Sequence, residues 1–284
     1  LGYSEIITYS FISPSYYDKI RLPADSPLRD SMKILNPLGE DTSIMRTTIL
    51  PSMLEILTRN YNYRNKAVRL YEIGKVYFAR PDGMADEPKL LCLGGYGGGM
   101  DFFQLKGAVE RILAGLRISD VTFEAESENP SYHPGRCAKV YAGGKLLGVL
   151  GQIHPLAAAN YGVDAELYTA ELQLDGMLAA RGVTPVYTPL PRFPAVTRDV
   201  AIVCSADIPV AKLSACILAA GGQYLKGCEL FDVYTGAPIP VGYKSVAFSL
   251  TLRADDQTLT DDHAEETMQS VLKALKETFN ATIR

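Results

Sequence analysis

A cluster of prolines divides this chain, because neither a helix nor a central strand can run through it. The four prolines that fall within ten residues are Pro185, Pro189, Pro191 and Pro194. Each one fixes φ and removes a backbone N–H donor, so the segment favours a stiff, extended connection. A chain of 284 residues also has the length of about two domains. We therefore predict a first domain over 1–184, a linker over 185–195 and a second domain over 196–284.

The pattern after the linker predicts strands and helices in the order βαββαβ. The segments are a strand at 199–204, a helix at 209–220, a strand at 228–234, a strand at 245–253, a helix beginning at Asp261 and a short strand at 281–284. Residues 245–253 alternate strictly between large apolar and small or polar side chains, which is typical of a strand with one buried face. This order is that of a ferredoxin-like sandwich, whose two helices cover one sheet face and leave the other open.

The residues before the linker give a mixed pattern. Strand-like runs lie at 6–12, 68–78, 89–97, 138–141, 146–153 and 168–174, and helical runs at 50–60, 101–116 and 155–161. Gly143 and Gly144 separate two apolar runs and predict a hairpin. The pattern indicates an antiparallel α+β domain rather than the regular βαβα alternation of a doubly wound nucleotide-binding sheet.

Composition narrows the possible functions. Apolar residues make up 47% of the chain, yet no apolar run approaches the eighteen or so residues that a membrane-spanning helix needs. The net charge of −4 excludes a globally basic nucleic-acid binder and leaves only a local basic surface. The five widely spaced cysteines include no C-x-x-C pair and favour the reducing cytoplasm. The first residue, Leu1, is not an initiator methionine, so we expect the N-terminus to be a cut, and the stretch that follows it shows no signal peptide.

Motifs for nucleotide, metal or nucleophilic chemistry are weak. The glycine run at 94–99 has neither the phosphate-loop nor the dinucleotide spacing, so it favours a flexible connection. His133, His154 and His263 lack a recognisable nucleophile partner, and structural roles are favoured for all three. Proline and glycine interrupt the spacing between His133 and Cys137, so we predict no metal site. Hydrolysis is therefore poorly supported.

Charge gives a stronger signal. Six basic residues lie between Arg59 and Arg80 against Glu72 alone, with four tyrosines interleaved. Such a segment suits RNA or an acidic partner subunit, and a solvated surface is an equal alternative. In the second domain basic residues outnumber acidic ones as far as Arg253, which predicts a modestly basic sheet face.

Four segments in order resemble the C-terminal part of the beta subunits of bacterial phenylalanine–tRNA ligases. They are LGYSEIITYSF at the start, LNPLGEDTSIMRTTILPSMLEILTRN followed by VRLYEIGKVYF, then HPGRCAKVYAGGKLLGVLGQIHP, and finally FPAVTRDVAIV with TLTDD. The resemblance covers essentially the whole chain. It implies a class II aminoacyl-tRNA synthetase-like antiparallel sheet domain, not itself catalytic, followed by a ferredoxin-like anticodon-binding domain.

The resemblance also implies that the first domain has lost its ATP site. Class II catalytic domains bind ATP with one arginine in motif 2 and another in the motif 3 helix, because a guanidinium can clamp phosphate and stack on adenine. The positions that match here are Phe78 and, nearby, Met177, whose side chains cannot bind phosphate. A slip in this alignment would bring in Lys75 or Arg80 and keeps the catalytic alternative open. We expect no catalytic residue and no cofactor in this chain, with ATP and Mg²⁺ used by the holoenzyme.

The implied partners are a catalytic alpha subunit, in an alpha2–beta2 assembly, and tRNA(Phe), in the cytoplasm and away from membranes. For tRNA binding we predict first Arg198, and then Arg192, Lys244 and Arg253. The structural alternative for Arg198 is a surface ion pair with a neighbour such as Asp199.

Two functional alternatives stay open. The chain could activate an amino acid with ATP by itself, or it could be a regulatory paralogue or assembly module that does not bind tRNA.

Overall fold

The computed structural model describes residues 1–187 and 189–284, which form two compact units, Leu1–Pro185 and Val186–Arg284. The predicted linker 185–195 includes residue 188, which lies outside the described residues. None of its described residues belongs to a helix or strand. The boundaries at 184 and 196 stay predictions.

The first unit is built on a long antiparallel sheet with one parallel edge strand. Its strands are β1 Ser4–Glu5, β2 Phe11–Ile12, β3 Ile44–Met45, β4 Val68–Lys75, β5 Phe78–Ala79, β6 Ala85–Asp86, β7 Lys89–Tyr96, β8 Val121–Ala125, β9 Tyr132–Ala142, β10 Lys145–Ile153 and β11 Tyr168–Gln173. Its α-helices are α1 Ser15–Lys19, α2 Leu50–Asn62, α3 Phe102–Gly115, α4 Pro155–Asn160 and α5 Leu174–Ala180, with 3-10 turns at Pro27–Arg29 and Glu40–Thr42.

Seven of these strands form one sheet in the order β1-β4-β7-β11-β10-β9-β8, and helices cover both of its faces. Alternation along β7 shows the division: Cys92 packs into the core with α1, α2 and α4, whereas Leu91 and Leu93 pack into the core with α3 and α5. The side chains of β7 are buried on both faces, so its sequence is a continuous apolar run rather than an alternating one.

Local sequence explains the two long helices of this unit. Pro51 lies in the first turn of α2, where its missing N–H costs nothing, and Met53, Leu54 and Leu57 are fully buried. The carboxylate of Asp101 caps α3 by accepting a hydrogen bond from the backbone N–H of Gln104 at 2.7 Å.

Several predicted bounds are wrong. Within the run 6–12 only Phe11–Ile12 is a strand, β2, and β1 ends before the run at Glu5. Between the two strands Ile6 donates to Tyr71, and Thr8 donates to the buried Glu72. The strand predicted at 168–174 stops at Gln173, and the short helix α5 that follows it is missing from the prediction, as is β8. Both are short, half-exposed elements with little periodicity to reveal them.

The second unit confirms the predicted ferredoxin-like order. Its elements are β12 Val196–Ser205, α6 Val210–Ala220, β13 Leu225–Tyr234, β14 Tyr243–Leu252, α7 Asp261–Phe279 and β15 Thr282–Ile283. The strands pair in the order β13-β14-β12-β15, all antiparallel. Thr260 caps α7 by accepting from the backbone N–H of His263, and Asn280 ends it in the left-handed conformation with φ +52°.

Both helices of this unit cover the same sheet face. Val200 and Ile202 of β12 and Val246, Phe248 and Leu250 of β14 pack against apolar side chains of α6 and α7. The alternate residues of the same strands therefore point to the opposite side, which we call the open face.

Candidate nucleic-acid interface

The open face has small residues at its centre and aromatic side chains at one end. In the strand register Tyr234 lies opposite Ser245, and Ser245 lies opposite Val203. Tyr243 lies on the same face two residues before Ser245. The rings of Tyr234 and Tyr243 keep 39% and 48% of their exposure. The same register places the exposed carboxylates of Asp199, Glu229 and Asp232 on this face, so the rings lie at one end of an acidic sheet surface. Exposed rings at a sheet edge can hold unpaired nucleotide bases by stacking.

Tyr234 is held in place by three neighbours. Its hydroxyl donates to the carbonyl oxygen of Ala237 at 2.9 Å. Any side chain at Gly236 would place its Cβ 2.6 Å from Cζ of the ring, so glycine is needed there. The guanidinium of Arg284, whose backbone N–H donates to Ala201 at 3.0 Å, stacks 5.6 Å from the ring centroid. Arg284 thus places a positive charge on the open face beside the ring.

Two of the four predicted tRNA-binding cations lie on the other side of the sheet. Arg198 pairs with Leu250 in the register and so faces the helices, where its guanidinium lies 3.0 Å from Asp261. Lys244 pairs with Cys204 and donates to the carbonyl oxygens of Ala206, at 2.9 Å, and of the nearby Ile208. The prediction that these two cations make the open face basic is wrong. The ion pair considered for Arg198 does form, with Asp261 rather than Asp199.

The other two cations lie at the margins of the sheet. Arg192 is exposed in the segment before β12. Arg253 follows β14, its backbone N–H donates to Tyr224 at 2.9 Å, and its buried Nε has no hydrogen-bond partner among the described residues. None of these contacts tests tRNA binding, so the role of all four cations stays a prediction.

Sequence reasoning missed Tyr234, Tyr243 and Arg284. Alternation along β14 would have revealed Tyr243. Tyr234 was hidden because β13 has two bulges, at 225–227 and 230–232, and each one shifts the side-chain alternation by a residue.

The motif positions of the first unit do not fit a nucleotide. Met177 is 1% exposed inside the core beneath α5, and Phe78 packs partly buried on the other core. Lys75 is paired with Glu87 at 2.7 Å, and Arg80 is paired with Asp82 and with Asp86. The cations that could replace a lost phosphate clamp are therefore already neutralised by carboxylates.

The histidines have structural contacts, as predicted. Nδ1 of His154 accepts from the N–H of Leu156 at 3.1 Å and caps α4, and partial burial lowers the pKa of His154. Nδ1 of His133 accepts from the N–H of Gly135 at 3.0 Å. His263 stacks on Tyr224 with ring centroids 5.1 Å apart.

A buried ionic network in the first unit has no counterpart in the sequence reasoning. The guanidinium of Arg46 lies 2.9 Å from the Glu72 carboxylate, and both side chains are at most 4% exposed. Arg46 also donates to Oγ1 of Thr8 at 2.7 Å and to the carbonyl oxygen of Lys75 at 3.0 Å. Thr8 in turn donates to Glu72 at 2.7 Å. The network therefore fixes the segment 6–10 against the sheet.

The carboxylate of the partly buried Glu171 lies on β11, across β7 from Glu72 in the strand register. Glu171 accepts hydrogen bonds from the N–H of Ile49 at 2.6 Å and from Oγ1 of Thr48 at 2.9 Å, where α2 begins. Burial raises the pKa of Glu171, and the N–H groups of the helix offset part of that rise. All its contacts are structural, so we assign it no catalytic role.

The segment 6–10, which is neither helix nor strand, leaves an apolar edge. Thr8 turns inward, and its neighbours Ile7 and Tyr9 are 91% and 82% exposed. The segment is anchored at its ends, where Ile6 donates to Tyr71 at 2.8 Å and Ser10 accepts from Arg46 at 2.9 Å. The backbone N–H groups of Ile7 and Tyr9 donate no hydrogen bond within the described residues. We call this stretch the apolar edge.

Across residues 1–187 and 189–284 there is no group of three or more His, Cys, Asp or Glu side chains placed to hold a metal ion. In that same part of the chain, none of the helices combines the length and apolar character needed to cross a bilayer.

Comparison with known proteins gives the family. The model of the phenylalanyl tRNA synthetase beta chain CLM domain matches residues 1–174, and that of the ferredoxin-fold anticodon binding domain matches residues 191–284. The phenylalanine–tRNA ligase beta subunit of Clostridium acetobutylicum is 43% identical over 285 residues, and that of Moorella thermoacetica is 43% identical over 297. Each alignment covers 100% of this chain and 36% of the relative, so the chain spans about a third of these proteins.

A solved structure supports the fold alone. The crystal structure of pyrrolysyl-tRNA synthetase from Desulfitobacterium hafniense superposes with a TM-score of 0.51 at 18% identity, over 62% of each chain. With both units matched in order by family models and by whole-chain relatives, the chain belongs to the phenylalanyl-tRNA synthetase beta chain family.

Proposed function

We propose that this chain forms the C-terminal part of the beta subunit of a phenylalanine–tRNA ligase and supports the ATP-dependent attachment of phenylalanine to tRNA(Phe). The observation that carries the proposal is the 43% identity that runs through both units to named beta subunits. We also propose an alpha2–beta2 assembly and a cytoplasmic location. The location is supported by the free thiols of all five cysteines.

The second unit would bind the anticodon region of the tRNA through its open face. Anticodon loops present unpaired bases, which proteins hold by stacking on aromatic rings of an exposed sheet. Tyr234 supplies such a ring, and Arg284 supplies a cation beside it.

Arg192 and Arg253 would contact phosphates at the margins of this face, and Arg198 and Lys244 would do so from the helix-covered side. Arg192 is the most available of the four, because it is exposed and lies outside the helices and strands. Arg198 would have to share its guanidinium with Asp261. Lys244 is the least available for phosphate binding, because its ammonium group already donates hydrogen bonds to two backbone carbonyls.

The first unit would dock on the catalytic alpha subunit through the apolar edge. An exposed segment at the margin of a sheet, with free N–H groups and large apolar side chains, can pair with a strand of another chain. The relatives are named as beta subunits, which implies a partner of different sequence. We commit to the alpha subunit as the occupant of this edge.

Catalysis would belong to the partner. Phe78 and Met177 give no phosphate clamp, and the nearby cations are ion-paired, so ATP and Mg²⁺ would be bound by the alpha subunit. The assembled enzyme is expected to support pyrophosphate exchange with phenylalanine and ATP. Exchange by this chain alone would contradict the proposal.

Substitution of the open-face ring tests tRNA binding. In the assembled enzyme, Tyr234→Ala is expected to weaken binding of tRNA(Phe) by roughly five- to 150-fold, the range for loss of one stacked base, whereas Tyr234→Phe keeps the ring and most of the affinity. Binding is measured by filter retention at two salt concentrations. Equal affinities for Tyr234→Ala and the unaltered enzyme would remove the open face from the site.

Charges placed on the apolar edge test partner binding. Ile7→Glu with Tyr9→Glu is expected to release the alpha subunit in sedimentation experiments, because both side chains would be desolvated in the interface. The inward-facing Thr8 should not be altered, since it belongs to the buried network. Unchanged assembly, or release of a second copy of this chain instead, would rule out the alpha subunit as the occupant of the edge.

A further inference from the structure

The connection from α2 to β4, residues 59–66, is a basic surface to which the proposed function gives no role. We call it the α2–β4 corner. Its cations are Arg59, in the last turn of α2, and Arg64 and Lys66 in the connection itself, all of them exposed. Within the described residues none of the three forms an ion pair.

The fold sorts the basic residues of this segment into two groups. Lys75 and Arg80 lie beside carboxylates, as described above, and are neutralised. Glu55, one helical turn before Arg59, could neutralise that cation. It accepts instead from the hydroxyl of Tyr16 at 3.0 Å. Arg69, half-buried on β4, also forms no ion pair within the described residues, but the exposed cations of this segment without an ion pair, Arg59, Arg64 and Lys66, all lie at the corner.

The corner is rigid. Arg64 adopts the left-handed conformation with φ +62°, and its N–H donates to the carbonyl oxygen of Tyr61 at 2.8 Å. The hydroxyl of Tyr96 donates to the carbonyl oxygen of Asn65 at 2.9 Å. Gly97, with φ +67°, lies directly against the carbonyl oxygen of Lys66, where any Cβ would collide. The glycine run at 94–99 does not have phosphate-loop spacing. Its Gly97 instead allows the chain to pack closely against the backbone of the corner.

An aromatic ring and a groove complete the surface. Tyr63 is 77% exposed although it ends a well-packed helix. A groove of about 400 Å³ runs beside it, and the residues that line it are Glu55, Thr58, Arg59, Asn62 and Tyr63. We propose that the α2–β4 corner is a second tRNA-binding site, in which Arg59, Arg64 and Lys66 contact phosphates and Tyr63 stacks on a base. The proposal rests on the proposed function, because that function supplies tRNA as the ligand.

The observations favour RNA over an acidic protein segment. The side chain of Arg59 and the ring of Tyr63 border one groove, which matches the pairing of a charged backbone with a flat base. Protein interfaces are enriched in arginine and tyrosine but depleted of lysine and glutamate, so Lys66 and Glu55 fit such an interface poorly. The apolar surface suited to a partner chain lies on the segment 6–10 instead. The dipole of α2 favours a cation in its last turn, which accounts for Arg59 without a ligand. It does not account for Arg64 and Lys66, which lie beyond the helix.

The test compares two charge-matched double variants of the assembled enzyme. Arg59→Gln with Arg64→Asn removes two free cations, and asparagine tolerates the left-handed backbone at 64. Lys75→Gln with Arg80→Gln removes two paired cations of the same segment. Binding of tRNA(Phe) is measured as a function of salt. The corner variant is expected to bind at least tenfold more weakly at low salt and to lower the slope of log K against log salt by about 1.5 to 2. The control is expected to leave both quantities nearly unchanged.

The outcomes separate this proposal from the proposed function. If the corner variant matches its control while Tyr234→Ala weakens binding, the corner is not a tRNA site and the open face stands. If the corner variant alone weakens binding, the corner stands and the open face fails. Release of the alpha subunit by the corner variant, with tRNA affinity retained, would make the corner a protein interface and overturn the proposal. Thermal unfolding of each variant checks that the fold is intact.

Discussion

Replacement of Arg46 by methionine should leave the Glu72 carboxylate buried without its ion-pair partner. The Arg46 guanidinium and the Glu72 carboxylate are 2.9 Å apart, with side-chain exposures of 2% and 4%, so solvent cannot take over the lost contact. Thr8 is hydrogen-bonded to both groups and would lose one of its two partners. Methionine has a similar length and adds no charge, which isolates the electrostatic effect.

The expected loss is large relative to the stability of a domain. Removal of one partner from a buried ion pair costs about 3–5 kcal/mol, because the remaining charge stays desolvated. A domain is stable by only about 5–15 kcal/mol. With a urea dependence of roughly 2–3 kcal/mol per molar, the midpoint of unfolding should fall by about 1–2 M. The double variant Arg46→Met with Glu72→Met removes both charges and should recover most of this loss.

Urea unfolding followed by far-ultraviolet circular dichroism measures the midpoint, and amide exchange of the peptide 68–75 assigns the loss to β4. Under the proposed docking of the alpha subunit on the apolar edge, the same single variant should also weaken that docking, because the network positions the segment that carries Ile7 and Tyr9. The reasoning would be refuted by a loss below about 1 kcal/mol in the single variant, or by a double variant no more stable than the single one.

Three further predictions concern stability. Gly97→Ala should destabilise the first unit by about 2 kcal/mol or more in urea unfolding, because Cβ would meet the Lys66 carbonyl and φ is +67°. Lys139 lowers the pKa of the buried Glu126 carboxyl, so that pair stabilises the fold above the ordinary carboxyl range and the benefit is lost as pH falls. Glu126→Gln should therefore be less stable than the unaltered chain at pH 7, and a pH series of unfolding should show the difference closing in acid. Arg198→Ala should change stability by less than about 1 kcal/mol, since its partner in the pair is 95% exposed.

Periodicity was sufficient for much of the fold. Strict alternation in β14 and the apolar stripe of α7 predicted the second unit with bounds within a few residues, because both elements bury one face against a single core. In the first unit, β7 is buried on both faces and its apolar run still predicts a strand. The strand predicted over 6–12 was wrong for residues 6–10. Their exposed side chains, Ile7 and Tyr9, are apolar, so the apolar pattern resembled that of a buried strand although residues 6–10 belong to no strand.

The candidate site was harder to predict, because strand register and ion pairing are tertiary properties. Arg198 lies in a motif that resembles the anticodon-binding domain, yet only the pairing of β12 with β14 shows that it faces the helices. Tyr234 is one of seventeen tyrosines, and only two bulges and the contact with Arg284 distinguish it from the others. Sequence resemblance was enough to predict the family. The contacts of individual side chains could be assigned only from the strand register of the folded sheet.

The same limit explains why net charge is a poor guide to partners in this chain. The net charge of −4 gives Lys75 and Arg64 equal weight. Lys75, however, is neutralised by the Glu87 carboxylate 2.7 Å away, whereas Arg64 has no ion-pair partner among the described residues. Only free cations release counterions when they meet phosphate, so only they contribute to salt-dependent affinity. An acidic protein can therefore bind RNA wherever its fold leaves cations unpaired on a rigid surface, and in the first unit that condition is met at the α2–β4 corner.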